Sequence, residues 1–263
     1  MLTAQIRTAF TECYKYREVL ANLFARELKL KYKRTFLGYF WSLLNPILNL
    51  TILSVVFSHF VGRGMKDYTL YLFSGLIVWM FFQGCLVSGS TAFLENEGFI
   101  KKIYLPKIIF PLSKILLRGM DFVLSFIALT ILGLFLDMPL HTTLLYVPLA
   151  AILLFIFTFG LTLICSVAII YFRDVIYLTT VFLQLLYFVT PILYPENALP
   201  AAYLPFLQAN PLYWQINIFH HLVYLGDVPT AFEWAAAIGT AFASLGAGIL
   251  VLVTLEEDLV FRM

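Results

Sequence analysis

Charge is scarce in this 263-residue chain: 12% of its residues are Asp, Glu, Lys or Arg against 62% hydrophobic, and its mean hydropathy is +0.91. Water-soluble domains carry about a quarter charged residues, so this balance excludes an ordinary soluble domain and makes lipid the solvent for most of the chain. Cysteine is nearly missing as well. Cys13, Cys85 and Cys165 are an odd, scattered set, which excludes a disulfide framework and gives no metal-binding spacing. The sequence has no G-x-x-x-x-G-K-[ST] phosphate loop, no H-E-x-x-H, no C-x-x-C and no G-x-S-x-G. Their absence removes the familiar routes to ATP hydrolysis, zinc proteolysis, dithiol exchange and serine acylation, so no catalytic residue and no metal ligand is assigned. A net charge of +2 gives no ground for expecting nucleic acid as a partner. Residues 1–37 stay polar and charged where a secretory signal needs an early apolar core, so the first hydrophobic run is expected to be a retained anchor.

What is abundant is apolar length. About 20 helical residues cross about 30 Å of hydrocarbon. Stretches of that order run at Gly38–Phe60, Thr69–Leu94, Ile108–Leu136, Thr143–Phe172, Val175–Tyr194 and Trp234–Leu255. Lipid satisfies no open backbone, and the strict alternation of a membrane barrel is missing, so each is expected to be a helix. The fold class predicted is an all-α membrane protein of six transmembrane helices in a single domain over residues 1–263, with residues 1–36 cytoplasmic or interfacial, a bundle over 37–258 and a tail at 259–263. The third span is compromised by Lys114, Arg118 and Asp121 near its start; it crosses only if the long basic side chains reach back to one interface. Asp121 is the sole acid within a span and follows Arg118 by three residues, which favours an ion pair on one helix face over a proton-coupling role.

Lysine and arginine give the orientation. Arg7, Lys15, Arg17, Arg26, Lys29, Lys31, Lys33 and Arg34 precede span one, Lys101, Lys102 and Lys107 precede span three, Arg173 precedes span five and Arg262 ends the chain; only Arg63 and Lys66 fall in the alternate connections. The positive-inside rule then puts both termini in the cytoplasm of a multi-pass inner-membrane protein. Residues 196–230 hold no lysine or arginine and are broken by Pro200, Pro205, Asn210, Pro211 and Gly226. The uninterrupted piece, about 14 residues, is too short to cross and is expected to be re-entrant on the outer side. Crossing would instead turn the C-terminus outward. Between Tyr14 and Arg34, Tyr16, Val19, Leu20, Leu23, Phe24 and Leu28 recur at helical spacing among basic residues, as in an interfacial amphipathic helix. From Glu95 to Lys107, Phe99, Ile100, Ile103 and Tyr104 stand among charges as a short cytoplasmic helix offered to a soluble partner. In the last span Gly239, Ala243 and Ala247, with Ser244 and Gly248, form a small-residue stripe that permits close helix contact, within one subunit before between two.

The order of short motifs is specific. The run from Leu30 to Pro46 (LKYKRTFLGYFWSLLNP), Gly75 and Trp79 in span two, Lys101–Lys107 (KKIYLPK), Phe172-Arg173-Asp174-Val175, Pro191–Pro195 (PILYP) and Asn210-Pro211 together resemble the membrane subunits of type-2 ABC exporters, particularly those that export polysaccharides such as O-antigen, capsule and teichoic acid. The resemblance implies a channel-forming homodimer carrying two cytoplasmic ABC ATPase subunits, which bind the ATP and Mg that this chain does not. It implies coupling to that motor through Glu95, Asn96, Glu97, Phe99, Lys101, Lys102 and Tyr104, a lipid-linked polysaccharide substrate, and an outer gate built from residues 198–225. The chain departs from the family where an acid or base often follows Asn-Pro: here stand Tyr213-Trp214-Gln215 and His220-His221.

A glycan cargo suits an aromatic path, because sugar C–H faces stack on rings weakly enough to slide. Tyr39, Trp41, Tyr187, Tyr194, Tyr213 and Trp214 are the candidates, although Trp and Tyr also collect at membrane interfaces without any ligand. Lys31, Lys33, Arg34 and Arg173 are candidates for drawing a pyrophosphate head group to the entrance, against plain positive-inside anchoring. A teichoic-acid, capsule or drug/lipid exporter of the same architecture is the near alternative to an O-antigen-like one, and a self-sufficient secondary transporter or intramembrane enzyme the distant one.

Overall fold

The computed structural model describes residues 15–61, 65–135 and 141–262, and among these there is no strand. Arg7, Cys13, Tyr14 and Arg63 lie outside the described residues. Helix α1 (Arg17–Tyr32) precedes α2 (Phe40–Val61) and α3 (Met65–Ser90); two short turns, α4 (Ala92–Glu95) and α5 (Glu97–Ile100), lead to α6 (Ile109–Phe135). Then come α7 (Val147–Tyr171), α8 (Val175–Val189), α9 (Leu204–Ala209), α10 (Pro211–Phe219) with a π-helical extension (His220–Leu225), and α11 (Ala231–Arg262). Five helices are long and apolar enough to cross a membrane, among the described residues.

The sequence expectation of six spans is met at five. Over Val175–Tyr194 the helix stops at Val189 after 15 residues and Thr190 turns extended. The second span also ends earlier than its apolar run suggests, at Ser90 rather than Leu94, because the chain re-forms as α4. Helix α1 does not rest on apolar residues alone: Leu23 is buried, but so is Glu27, because α1 packs against α6.

Helices α3 and α7 form the centre, with 72% and 61% of their span residues buried against 22 to 33% in α2, α6 and α11. Phe82 meets Phe157 and Gly89 meets Thr162, so α3 and α7 run in the same direction. Helix α11 lies closest to α7. A Cβ on Gly160 would sit 2.2 Å from the Ser244 backbone, and one on Gly248 would sit 2.4 Å from the Gly160 carbonyl oxygen. Small residues let two helix backbones touch, and dispersion between them replaces the hydrophobic drive that lipid does not supply. Ser244 and Gly248 thus serve packing within the subunit, whereas Gly239, Ala243 and Ala247 are exposed.

Several segments meet at one end of the bundle, here called the basic end. Arg26 reaches Asn96, Lys107 reaches Glu256 and the Arg262 guanidinium covers the Tyr171 ring at 4.6 Å. At the far end, α8 gives way to the non-helical run Pro191–Tyr194, tucked against the first turns of α3. Irregular backbone at membrane depth survives only where its polar groups are satisfied inside protein. Tyr71 donates its hydroxyl to the carbonyls of Pro191 (2.8 Å) and Tyr194 (2.6 Å), Tyr68 to that of Leu193 (2.9 Å), and His220 Nε2 lies 3.0 Å from the Pro191 carbonyl. Asn210 caps α10 by accepting from the Leu212 N–H at 3.0 Å, and Pro211 occupies the first turn, where no backbone donor is needed. Gly226 ends the π-helical turn at φ +74, where a Cβ would strike the His141 ring.

Candidate functional site

The region between α3 and α6 breaks the helical path twice. Asn96, almost fully buried, separates α4 from α5; its Oδ1 accepts from Arg26 Nη1 at 3.1 Å and its Nδ2 donates to the Ala92 carbonyl at 2.8 Å. Glu95 accepts from Lys114 Nζ at 2.5 Å, and the same ammonium reaches Glu27 at 2.6 Å. Lys114 and Glu27 are both buried, so α1, α4 and α6 are tied by a charge triad whose middle member has left water. Truncating Lys114 or Glu27 strands a buried partner at a cost of roughly 3–5 kcal/mol.

This bracing holds out an apolar surface. Phe99 is 43% exposed beneath the Arg26 guanidinium, 5.3 Å from its centre, Ile103 is 54% exposed and Tyr104 78%. Ile100, by contrast, turns into the core. Glu97 and Lys101 pair at 2.5 Å on the exposed face beside Lys102. All seven residues from Glu95 to Tyr104 singled out in the sequence therefore lie in one contiguous strip at the basic end.

The six aromatic candidates separate. Tyr39 and Trp41 are exposed at the start of α2, Tyr39 packing its ring 4.3 Å from Tyr32. Tyr187 is half-buried on α8 against Trp79, 5.1 Å away. Tyr194 folds back so that its hydroxyl donates to the Phe188 and Val189 carbonyls at 2.8 and 3.1 Å. Tyr213 and Trp214 are buried in α10, the Trp214 indole donating to the Gln208 carbonyl at 3.0 Å. Of the residues that replace the family's charges, His220 is buried and His221 sits between two acids, Nδ1 2.7 Å from Asp227 and Nε2 3.2 Å from Glu233. Burial pulls the His220 pKa down to about 4, and the neutral ring bridges Ser74, 2.7 Å from Nδ1, to the Pro191 carbonyl.

A model of the family described as ABC-2 type transporter matches residues 18–224. The chain belongs to the ABC-2 transporter membrane family. Among similar curated proteins are the O-antigen export system permease protein RfbA of Myxococcus xanthus, 27% identical over 94% of this chain and 96% of that protein, and the RfbA of Klebsiella pneumoniae, 30% identical over 74% and 76%. The polysialic acid transport protein KpsM of Escherichia coli is 26% identical over 89% of this chain and 92% of its own.

The basic candidates of this ABC-2 subunit also diverge. Lys33 and Arg34 are exposed in the turn between α1 and α2, where Arg34 adopts φ +63, and Arg173 is exposed in the turn between α7 and α8. Lys31 instead points inward to the Asp121 carboxylate and donates to Ser42 Oγ at 3.1 Å. Asp121 faces Arg118 with its other oxygen at 3.7 Å, and Ser42 Oγ donates to it at 2.9 Å. Pro46 in α2 has no N–H for the Ser42 carbonyl one turn back; Ser125 of α6 supplies that donor at 3.3 Å. Sequence reasoning missed Glu27, Ser42 and the role of Lys114. A lysine inside an apolar run was the available signal for Lys114, whereas Glu27 looked like one more polar residue on a surface helix.

Proposed function

We propose that the chain is the channel-forming permease subunit of an ATP-driven exporter that moves a lipid-linked, O-antigen-like polysaccharide from the cytoplasm across the inner membrane. The observation that carries this reading is the braced strip at the basic end: apolar Phe99, Ile103 and Tyr104 held in water by charges anchored to α1 and α6. Exposed aromatic residues rimmed by charge are what a protein partner's surface buries. The family and the RfbA relatives support an export permease, and in this reading two separate cytoplasmic ATPase subunits bind the ATP and Mg. A capsule-type glycan is the second reading, with the KpsM relative behind it.

Six crossings with both termini in the cytoplasm remain the favoured topology. Helix α8 starts next to the α7 end, at the basic side, and its extension ends against Tyr68 and Tyr71 at the far side. Its 15 helical residues rise roughly 22 Å. The non-helical residues 190–194 carry the chain on to its contacts with Tyr68 and Tyr71. Residues 196–225 then return to the far side as re-entrant outer helices, and α11 brings the C-terminus back. The basic residues near the entrance, with Tyr39 and Trp41, receive the lipid-linked glycan, and two copies of the chain enclose its path.

The test is reconstitution. The purified chain alone is expected to hydrolyse no ATP and respond to no proton gradient; adding its ATPase subunit should give substrate-stimulated hydrolysis. Phe99→Ala with Tyr104→Ala is expected to lower recovery of the ATPase on affinity purification while membrane insertion is unchanged. Transport by the lone chain, or full recovery of the ATPase by the double variant, would reject the assignment.

A further inference from the structure

The junction of α1, α2, α3 and α6 encloses a cavity of about 170 Å³, lined on one side by Lys31, Trp41, Ser42, Asn45, Arg118 and Asp121. Its opposite wall is apolar, formed by Ile77, Phe81 and Phe122. Two cations and one carboxylate face this space, so its walls carry an unmatched positive charge. Asp121 divides itself: one oxygen takes the Lys31 ammonium and the Ser42 hydroxyl, the other stands a loose 3.7 Å from Arg118 Nη1. Arg118 Nε donates to Ser88 at 3.2 Å, and Nη2 has no acceptor among the described residues. Arg118 is half-buried, and an anion entering the cavity would complete its guanidinium fork. The geometry that suits planar bidentate donors is that of a carboxylate or a phosphate, and the only carboxylate at hand is already shared.

We propose that this cavity receives the phosphate group of an anionic membrane lipid, bound by Arg118 and Lys31, with Asp121 as a resident competitor that holds the two cations until the phosphate displaces it. The apolar wall accommodates the first carbons of the lipid chain, and the exposed Trp41 and Asn45 form the open side of the cavity. The lipid is either a resident phosphomonoester-headed lipid or the polyprenyl diphosphate of the exported glycan; the second source rests on the export reading above, the first does not. The proposal assigns Asp121 a role opposite to that of a stabilising partner. Removing its charge should strengthen binding.

Native mass spectrometry of the full chain with dioleoylphosphatidic acid, polyprenyl diphosphate or dioleoylphosphatidylcholine reads this directly. Retention of the first two and not of the third is expected. Arg118→Gln should weaken retention about tenfold, as loss of a charge-assisted pair does, and Asp121→Asn should raise it several-fold. Asn45→Trp, which fills the open side without altering charge, should block binding and serves where Asp121→Asn does not fold. Lys66→Gln, which removes an exposed charge at the far end of α3, should change nothing. Preference for polyprenyl diphosphate identifies the transported lipid, and equal or stronger retention of phosphatidic acid identifies a resident one; both outcomes uphold a phosphate site. Weakening by Asp121→Asn and Arg118→Gln alike, or indifference to Arg118→Gln and Asn45→Trp, overturns it. Failure of the ATPase reconstitution would remove the export reading and leave the phosphatidic acid result standing.

Discussion

At the residue scale, the break after α8 shows how a few polar side chains let a membrane helix end inside protein. The carbonyls of Pro191, Leu193 and Tyr194 would each cost several kcal/mol unpaired in hydrocarbon, roughly. Tyr68, Tyr71 and His220 supply hydroxyl and imidazole donors from two other elements. The His220 ring lies outside the five long helices, and its pKa of about 4 stands below the 6.5 of an exposed ring because burial opposes the charge. An unfolded chain gains that proton below pH 6.5, while the native ring refuses it until about pH 4, so native stability is lost progressively as pH falls through that window. Thermal midpoints measured from pH 7 to pH 4 should therefore fall more steeply for the native sequence than for His220→Gln, and parallel slopes would contradict the assignment. Glycine gives a second residue-level expectation. Gly160→Ala drives a methyl into the Ser244 backbone and should cost about 1–3 kcal/mol or more, whereas Gly239, with open space around its Cα, should accept alanine nearly free. Melting temperatures of the two variants, side by side, check the contrast.

At the scale of elements, the sequence revealed the spans more readily than what joins them. Hydropathy located α2, α3, α6, α7 and α11 because their apolar runs are long; it overran the end of α8 because Thr190, Pro191 and Ile192 read as apolar while their backbone has already left the helix. Motif order named the family, and the Pro191–Pro195 run belonged to that pattern, but the hydroxyls that make the run possible lie more than a hundred residues away. Likewise the spacing of its leucines made α1 legible as a helix, yet the buried Glu27 depends on Lys114 of α6, a pairing no local period encodes. This pairing sets the next expectation. Lys114→Met leaves Glu27 buried without a counter-charge and should cost roughly 3–5 kcal/mol, while adding Glu27→Gln should restore much of the loss. A double-mutant cycle read by thermal unfolding measures the coupling, and additive losses would mean that the triad brings no energy to the joint between α1 and the strip of Glu95–Tyr104.

At the scale of the whole molecule, the outward faces differ in kind. Helix α6 presents Val123, Ile127, Ile131 and Leu134, aliphatic residues suited to lipid tails. Helix α8 is exposed on most of its circumference, with only Thr179 and Leu183 buried, and its outward residues include Tyr177, Thr180, Gln184 and Phe188. Helix α2 likewise turns Trp41, Asn45 and Asn49 outward. An exposed glutamine in an apolar helix has nothing to hydrogen-bond in lipid, so this side is better matched to a second subunit or to a watery path between two subunits than to the bilayer. If two copies meet across α2 and α8, Gln184→Cys in a background freed of Cys13, Cys85 and Cys165 should cross-link in native membranes to a species of twice the 30.1 kDa chain mass. Ile127→Cys on α6 should remain monomeric under the same reagent. Cross-linking through Ile127→Cys with none through Gln184→Cys would move the subunit contact to the aliphatic face and leave the polar face of α8 unexplained by a dimer.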